Sequence, residues 1–167
     1  DFKDHGFGPV LTFQHHPGSV RLDHYLRDRG PGLTAAQRLA LLRQLADGVR
    51  YAQARRVVHR ALAPQSVLVV NPTADAPVPK IFNWQVGVTE AASAGTTHAE
   101  ELVDQVALVY MAPEAGLTPR EVTPAADVFS LGAVAYHLFA GRPPAASLLE
   151  RGNLLREHDG LDLTTVL

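Results

Sequence analysis

The hydrophobic pattern is most regular between residues 34 and 52. Leu39, Leu42, Ala46, Val49 and Ala52 recur at helical spacing, and Thr34 with Gln37 three residues on has the form of a capping box. The spacing predicts a helix from about Thr34 to Tyr51 with that apolar face inward. From Ala126 to Phe139 the residues are apolar nearly all round, which predicts a helix buried on every side and stopped by Gly141, Pro143 and Pro144. These two helices are expected to pack side by side. Elsewhere the pattern is shorter in range. Pro9 to Phe13 reads as a β segment ended by the turn residues Pro17 and Gly18, and Leu22 to Leu26 as a short helix ended by the ArgGlyProGly cluster at 29–32. Val57 to His59, Val67 to Val70 and Lys80 to Phe82 read as three short β pieces. Residues 85–109 are polar and aperiodic, and are expected to form a mobile loop.

Composition narrows the function classes. A chain of 167 residues, 46% hydrophobic, suffices for one well-buried domain. Fifteen basic against seventeen acidic residues leave a net charge of −2, which offers no electrostatic footprint for nucleic acid or an anionic membrane. The absence of cysteine excludes disulfides, thiolate zinc sites and cysteine nucleophiles. His15, His16 and His24 follow no metal-ligand spacing, so no metal site is expected. No apolar run reaches membrane-spanning length, and a cytoplasmic protein is expected.

Four motifs, in order, resemble the protein kinase superfamily. His59, Arg60, Leu62, Pro64 and Val67 to Val69 match the catalytic loop HRDLKPENVLV, and residues 80–85, KIFNWQ, sit where the family carries a strand and its DFG. Ala112, Pro113 and Glu114 form an intact APE, and residues 127–144 resemble the family's central buried helix. The segment VLTFQHHPGS at 10–19 resembles the last small-lobe strand and hinge, which makes Phe13, Gln14, His15 and His16 candidate adenine contacts. The resemblance implies a mainly α fold with short β segments (α+β): a single partial kinase-like domain over 1–167, with strand and hinge at 1–18, a helical C-terminal lobe at 19–167 and an activation-segment-like loop at 83–114. The small lobe is expected to be largely absent, since the glycine loop and strand lysine would precede Asp1, and a fragment of a longer protein is expected. The HisArgAlaLeu and AsnTrpGln strings also resemble the kinase-like domain of large serine/threonine kinase components of bacterial phage growth limitation (BREX-type) defence systems.

The departures fall on the chemical positions. Phosphoryl transfer in this family relies on an Asp that orients the attacking hydroxyl and on ligands for Mg²⁺. Ala61 stands for that Asp, Ala63 for the catalytic-loop Lys, Ser66 for the metal-binding Asn and Asn83 for the metal-binding Asp. A methyl group accepts no proton, and the carboxylate that a hard cation requires is gone. Flanking residues match while each chemical residue differs, which argues against misalignment. Trp84 and Gln85 replace Phe and Gly, so the easy access to positive φ that lets this segment flip is lost.

The retained residues carry structural expectations. His59 is expected to pin the loop through a backbone carbonyl, and Asp127 to accept backbone N–H groups near His59 and Arg60. Glu114 is expected to be an anchor left unpaired in this chain. By resemblance Arg60 would receive a phosphorylated Thr96 or Thr97. Three functions follow: an inactive pseudokinase-type module for binding, regulation or scaffolding; an atypical active Ser/Thr kinase using Glu100, Glu101 or Asp104; or a structural remnant. No cofactor is expected for this chain, with ATP and Mg²⁺ entering only under the second. Partners are expected among other domains of the parent protein or a separate protein, with neither nucleic acid nor membrane.

Overall fold

The structure, a computed structural model, describes residues 2–5, 8–11, 14–84, 88–89, 105–117, 123–157, 160 and 162–164. In chain order the elements are β1 (Phe2–His5), β2 (Gly8–Leu11), β3 (Val20–Arg21), α1 (Leu22–Arg29), α2 (Ala35–Gln53), β4 (Val57–Val58), β5 (Val67–Val70), β6 (Val78–Ile81), β7 (Val88–Thr89), α3 (Pro113–Leu117), α4 (Pro124–Ala140) and α5 (Leu148–Glu157). Short 3-10 turns occupy Gly30–Gly32, Pro64–Ser66 and Gln105–Tyr110. This is the mainly α architecture with short β segments of a kinase-like helical lobe. No helix among the described residues is long and apolar enough to cross a membrane.

Every strand pairs antiparallel. β1 and β2 form a hairpin with Phe2 opposite Leu11, and β3, β5 and β6 form a sheet in which Val20 faces Val69 and Val67 faces Ile81. The strand expected to begin at Lys80 begins at Val78, because its pairing with β5 recruits residues that composition assigns to a Pro-rich loop. Within the expected mobile loop 85–109, Val88–Thr89 pairs with β4 and residues 105–110 form a 3-10 turn.

The α2 N-terminus is fixed as its sequence predicts. The Gln37 N–H donates to the Thr34 hydroxyl at 3.2 Å, and the Gln37 side chain accepts the Thr34 N–H at 3.0 Å. The buried face differs from the expected one. Leu41, Leu45, Val49 and Ala52 are buried, Leu42 and Ala46 are half-buried, and Leu39 is 39% exposed. Apolar residues at 39, 41, 42 and 45 surround much of the helix, and packing on α4 and β6 selects the stripe through Leu41.

α4 begins with Pro124 at a first-turn position, where its missing N–H costs nothing, and ends at Gly141, whose φ of +71° lets its N–H reach the His137 carbonyl at 3.0 Å. It is not buried all round: Val128 is 58% exposed. α4 packs against α2, β4 and the 105–110 turn, and that three-sided wrapping leaves the Val128 side open. Polar contacts lock the pair. Gln53 Nε2 donates to the Pro124 carbonyl at 3.0 Å, and the Arg38 guanidinium reaches Gly30 O at 2.6 Å, Leu33 O at 3.2 Å and Leu138 O. Arg38 thereby satisfies carbonyls near two helix ends that would otherwise lack partners.

Candidate functional site

The segment from Val57 to Ser66 folds back on itself around two buried groups, His59 and Asp127, neither with any solvent exposure. Asp127 lies in the first turn of α4. Its Oδ2 accepts the His59 N–H at 2.7 Å and its Oδ1 the Arg60 N–H at 2.8 Å. Both oxygens therefore serve the loop backbone. Burial raises the Asp127 pKa, and the two N–H donors oppose that by stabilising the carboxylate. Arg60 holds φ at +72°, a conformation that side chains other than glycine adopt at some cost, and its bond to Asp127 fixes it there.

The His59 ring is satisfied at both nitrogens. Nε2 lies 2.7 Å from the Phe82 carbonyl, which can only accept, so Nε2 carries the proton. Nδ1 is then free to accept the Ala61 N–H at 3.3 Å. This arrangement requires the neutral imidazole, and burial lowers the His59 pKa in the same direction. Trp84 packs edge-on to the ring at 4.8 Å and donates its indole N–H to Ile81 O at 3.0 Å. The indole thus covers one edge of the His59 ring.

The positions expected to be degenerate lie around this pin. Ala61 and Ala63 are buried, and Ser66 is 4% exposed. The Ser66 hydroxyl accepts the Ala63 N–H at 3.0 Å and lies 2.9 Å from Ala63 O and 3.5 Å from Ala61 O. It is thus engaged on the backbone of its own loop. The Phe82 N–H donates to Ser66 O at 2.9 Å, tying the end of β6 to the same turn. Asn83 is half-buried with φ at +63°. No carboxylate stands at positions 61, 63, 66 or 83. Among the described residues no cluster of His, Asp and Glu is arranged to hold a metal ion.

Other candidate residues lie apart from this block. Gln14 and His15 are exposed and His16 is half-buried, in a turn closed by Ser19 N–H to His16 O at 3.1 Å; Phe13 lies outside the described residues. Thr96 and Thr97 lie outside them too, as do Glu100, Glu101 and Asp104. Glu114, expected to be unpaired, is not without an interaction: it lies within the electrostatic reach of Arg151. α5 delivers this arginine, whose guanidinium donates to Leu108 O at 2.8 Å and to Met111 O. Sequence reasoning missed Arg151, which sits on α5, a helix with no fully buried residue to single it out. It also missed Tyr110 and His137, whose side chains meet at 2.7 Å. Their signal was a lone histidine inside the otherwise apolar stretch of α4.

A buried HisArg loop pinned by the first-turn aspartate of a central helix, followed by a β hairpin and an AlaProGlu helix, defines the helical lobe of a protein kinase fold. The family model for protein tyrosine and serine/threonine kinases matches residues 9–159, and the chain belongs to that family. Probable kinase PglW of Streptomyces coelicolor is 37% identical over 183 residues, covering 94% of this chain and 12% of the relative. Serine/threonine-protein kinase Pkn1 of Myxococcus xanthus is 36% identical, covering 69% of this chain and 16% of its own. Serine/threonine-protein kinase PkaA of Streptomyces coelicolor is 38% identical, covering 74% and 22%. The chain thus spans less than a quarter of the length of each of these three relatives.

Proposed function

We propose that this chain is a pseudokinase-type lobe, without phosphotransferase activity of its own, that serves as a binding, regulatory or scaffolding module within a longer protein. The observation that carries this reading is the contrast inside one loop. The residues that hold the loop's shape, His59 and Asp127, are present and fully hydrogen-bonded. The residues that would do chemistry are methyl groups at Ala61 and Ala63, a hydroxyl turned onto its own loop at Ser66 and a neutral amide at Asn83. That donor set does not fit Mg²⁺, which binds phosphate-bearing sites through carboxylates in near-octahedral geometry. ATP and Mg²⁺ are accordingly not part of this proposal. The loss of an orienting base alone would cost a typical 10²- to 10⁴-fold in rate. Other domains of the parent protein, or a separate protein, are the partners proposed, in the cytoplasm and with neither nucleic acid nor membrane. A place in phage growth limitation rests on the sequence strings noted above and the 37% identity to the Streptomyces coelicolor relative.

A second reading is favoured by the names of the relatives, which are kinases. In it the full-length protein is an atypical Ser/Thr kinase that draws an acid from Glu100, Glu101 or Asp104 and binds nucleotide through its other parts. Titration of the full-length parent with MgATP, run beside a radiolabelled transfer assay, separates the two. The pseudokinase reading expects neither Mg²⁺-dependent binding nor turnover, and no rescue in Asn83→Asp. Turnover that disappears when a loop acid is replaced overturns it.

A further inference from the structure

Outside the His59 block, a partly buried side-chain contact joins two elements far apart in the chain. Tyr110, 1% exposed, ends the 3-10 turn just before α3. Its hydroxyl lies 2.7 Å from His137 Nδ1, near the end of α4, and the two rings stack with centroids 6.1 Å apart. We propose that this pair is a proton-operated latch: it closes when His137 is neutral, loosens when His137 is protonated, and so sets how firmly the 105–110 turn is held against α4.

The chemistry follows from the donor inventory. A neutral imidazole whose proton sits on Nε2 offers Nδ1 as the acceptor for the Tyr110 proton. Once Nδ1 carries a proton, the phenol must turn its own hydrogen away and accept instead. A phenol this deeply buried then loses its O–H bond to Nδ1, at a cost. Burial lowers the His137 pKa, which favours the closed, neutral form, and burial pushes the Tyr110 pKa up, so the phenol keeps its proton throughout.

Among the described residues, few charges lie around His137. From α1, Asp23 favours protonation. Its carboxylate is shared with Arg21 at 3.0 and 2.5 Å, and His24 Nε2 lies 3.7 Å away. From α2, Arg38 reaches the neighbouring Leu138 carbonyl. β4 brings only Val57 and Val58. On α4 itself Asp127 is engaged at the far end by His59 and Arg60, and Arg142 beyond the helix lies over the Tyr136 ring at 5.7 Å. Arg151, which holds Leu108 O and Met111 O, does not titrate in this range and acts as a permanent strap. Acidification therefore loosens the turn without releasing it.

The sign is fixed by linkage. An opened His137 takes up a proton near its ordinary pKa of 6.5, and the closed form only at lower pH. Opening is therefore unchanged above that value and grows by up to about tenfold per pH unit below it, until the closed form titrates. The latch does not depend on whether the parent transfers phosphate.

Amide hydrogen exchange on the protein at pH 7.0 and 5.5, corrected for intrinsic rates, tests it. Protection at residues 107–112 is expected to fall by threefold or more between the two pH values. His137→Gln, which keeps an acceptor for Tyr110 but does not titrate, is expected to remove most of that fall. No fall at these residues, or a fall that persists undiminished in His137→Gln, overturns the latch. Should that variant not fold, NMR titration of His137 in the unaltered protein decides: a midpoint below 6.5 is expected, and one at or above 6.5 overturns the proposal.

Discussion

Replacing Asp127 by Ala attacks the contact on which the loop geometry rests. The carboxylate accepts two backbone N–H groups, at 2.7 and 2.8 Å, in a site with no solvent exposure. Hydrogen bonds to a charged acceptor contribute about 1.5–3 kcal/mol each, so the gross loss is roughly 3–6 kcal/mol. Part is recovered because burying the carboxylate carries its own desolvation cost, visible in its raised pKa. A net destabilisation of about 2–4 kcal/mol remains, which for a chain of this size lowers Tm by roughly 4–16 °C. Asp127→Asn keeps one acceptor oxygen but turns an N–H₂ toward the second donor, and should cost about half as much. Urea unfolding followed by far-UV circular dichroism measures both variants, with an unchanged m-value showing that the shift is one of stability. The pin is refuted if Asp127→Ala lies within about 0.5 kcal/mol of the parent, the range of an inconsequential surface change, or if Asn costs more than Ala.

Two further outcomes follow from the same structure. Leu45→Ala removes a side chain that is 1% exposed and should cost about 2–5 kcal/mol, whereas Leu39→Ala, 39% exposed, should stay within about 0.5 kcal/mol; comparable losses in urea unfolding would show the α2 face is misassigned. Burial depresses the pKa of both His59 and His137, so below their ordinary value of 6.5 the unfolded chain binds protons that the folded chain refuses. Their stabilisation is complete above that pH and is lost as pH falls, with the raised Asp127 opposing the trend at lower pH. The urea midpoint should therefore drop between pH 7.5 and 5.5, and a constant or rising midpoint contradicts the buried neutral imidazoles.

The candidate site was legible to a large extent because its framework is local. His59, Arg60, Leu62 and Pro64 occupy six residues, and their resemblance to the family's catalytic loop is what marks the segment in the sequence. The partner Asp127 is 67 and 68 residues away from the amides it holds, and its place was legible through the resemblance of residues 127–144 to the family's central helix. The Ser66 hydroxyl illustrates the limit. Sequence places a serine where an amide is expected, and only the folded loop turns that oxygen back onto Ala63.

By itself the sequence determined what local chemistry controls: the capping box at Thr34, the stop at Gly141, the strand at Val67 to Val70, and the loss of carboxylates at the chemical positions. Tertiary structure decided what depends on which neighbour arrives. α2 presents apolar residues around much of its circumference, so its own periodicity leaves the inward stripe open, and α4 with β6 chose Leu41 and Leu45 over Leu39. α4 itself was wrapped on three sides, leaving Val128 outside. The meetings of Arg38 with Leu138, of Arg151 with Leu108 and of Tyr110 with His137 span 100, 43 and 27 residues. Side-chain hydrogen bonds are directional and short in range, and pattern along a chain carries no information about approach across it.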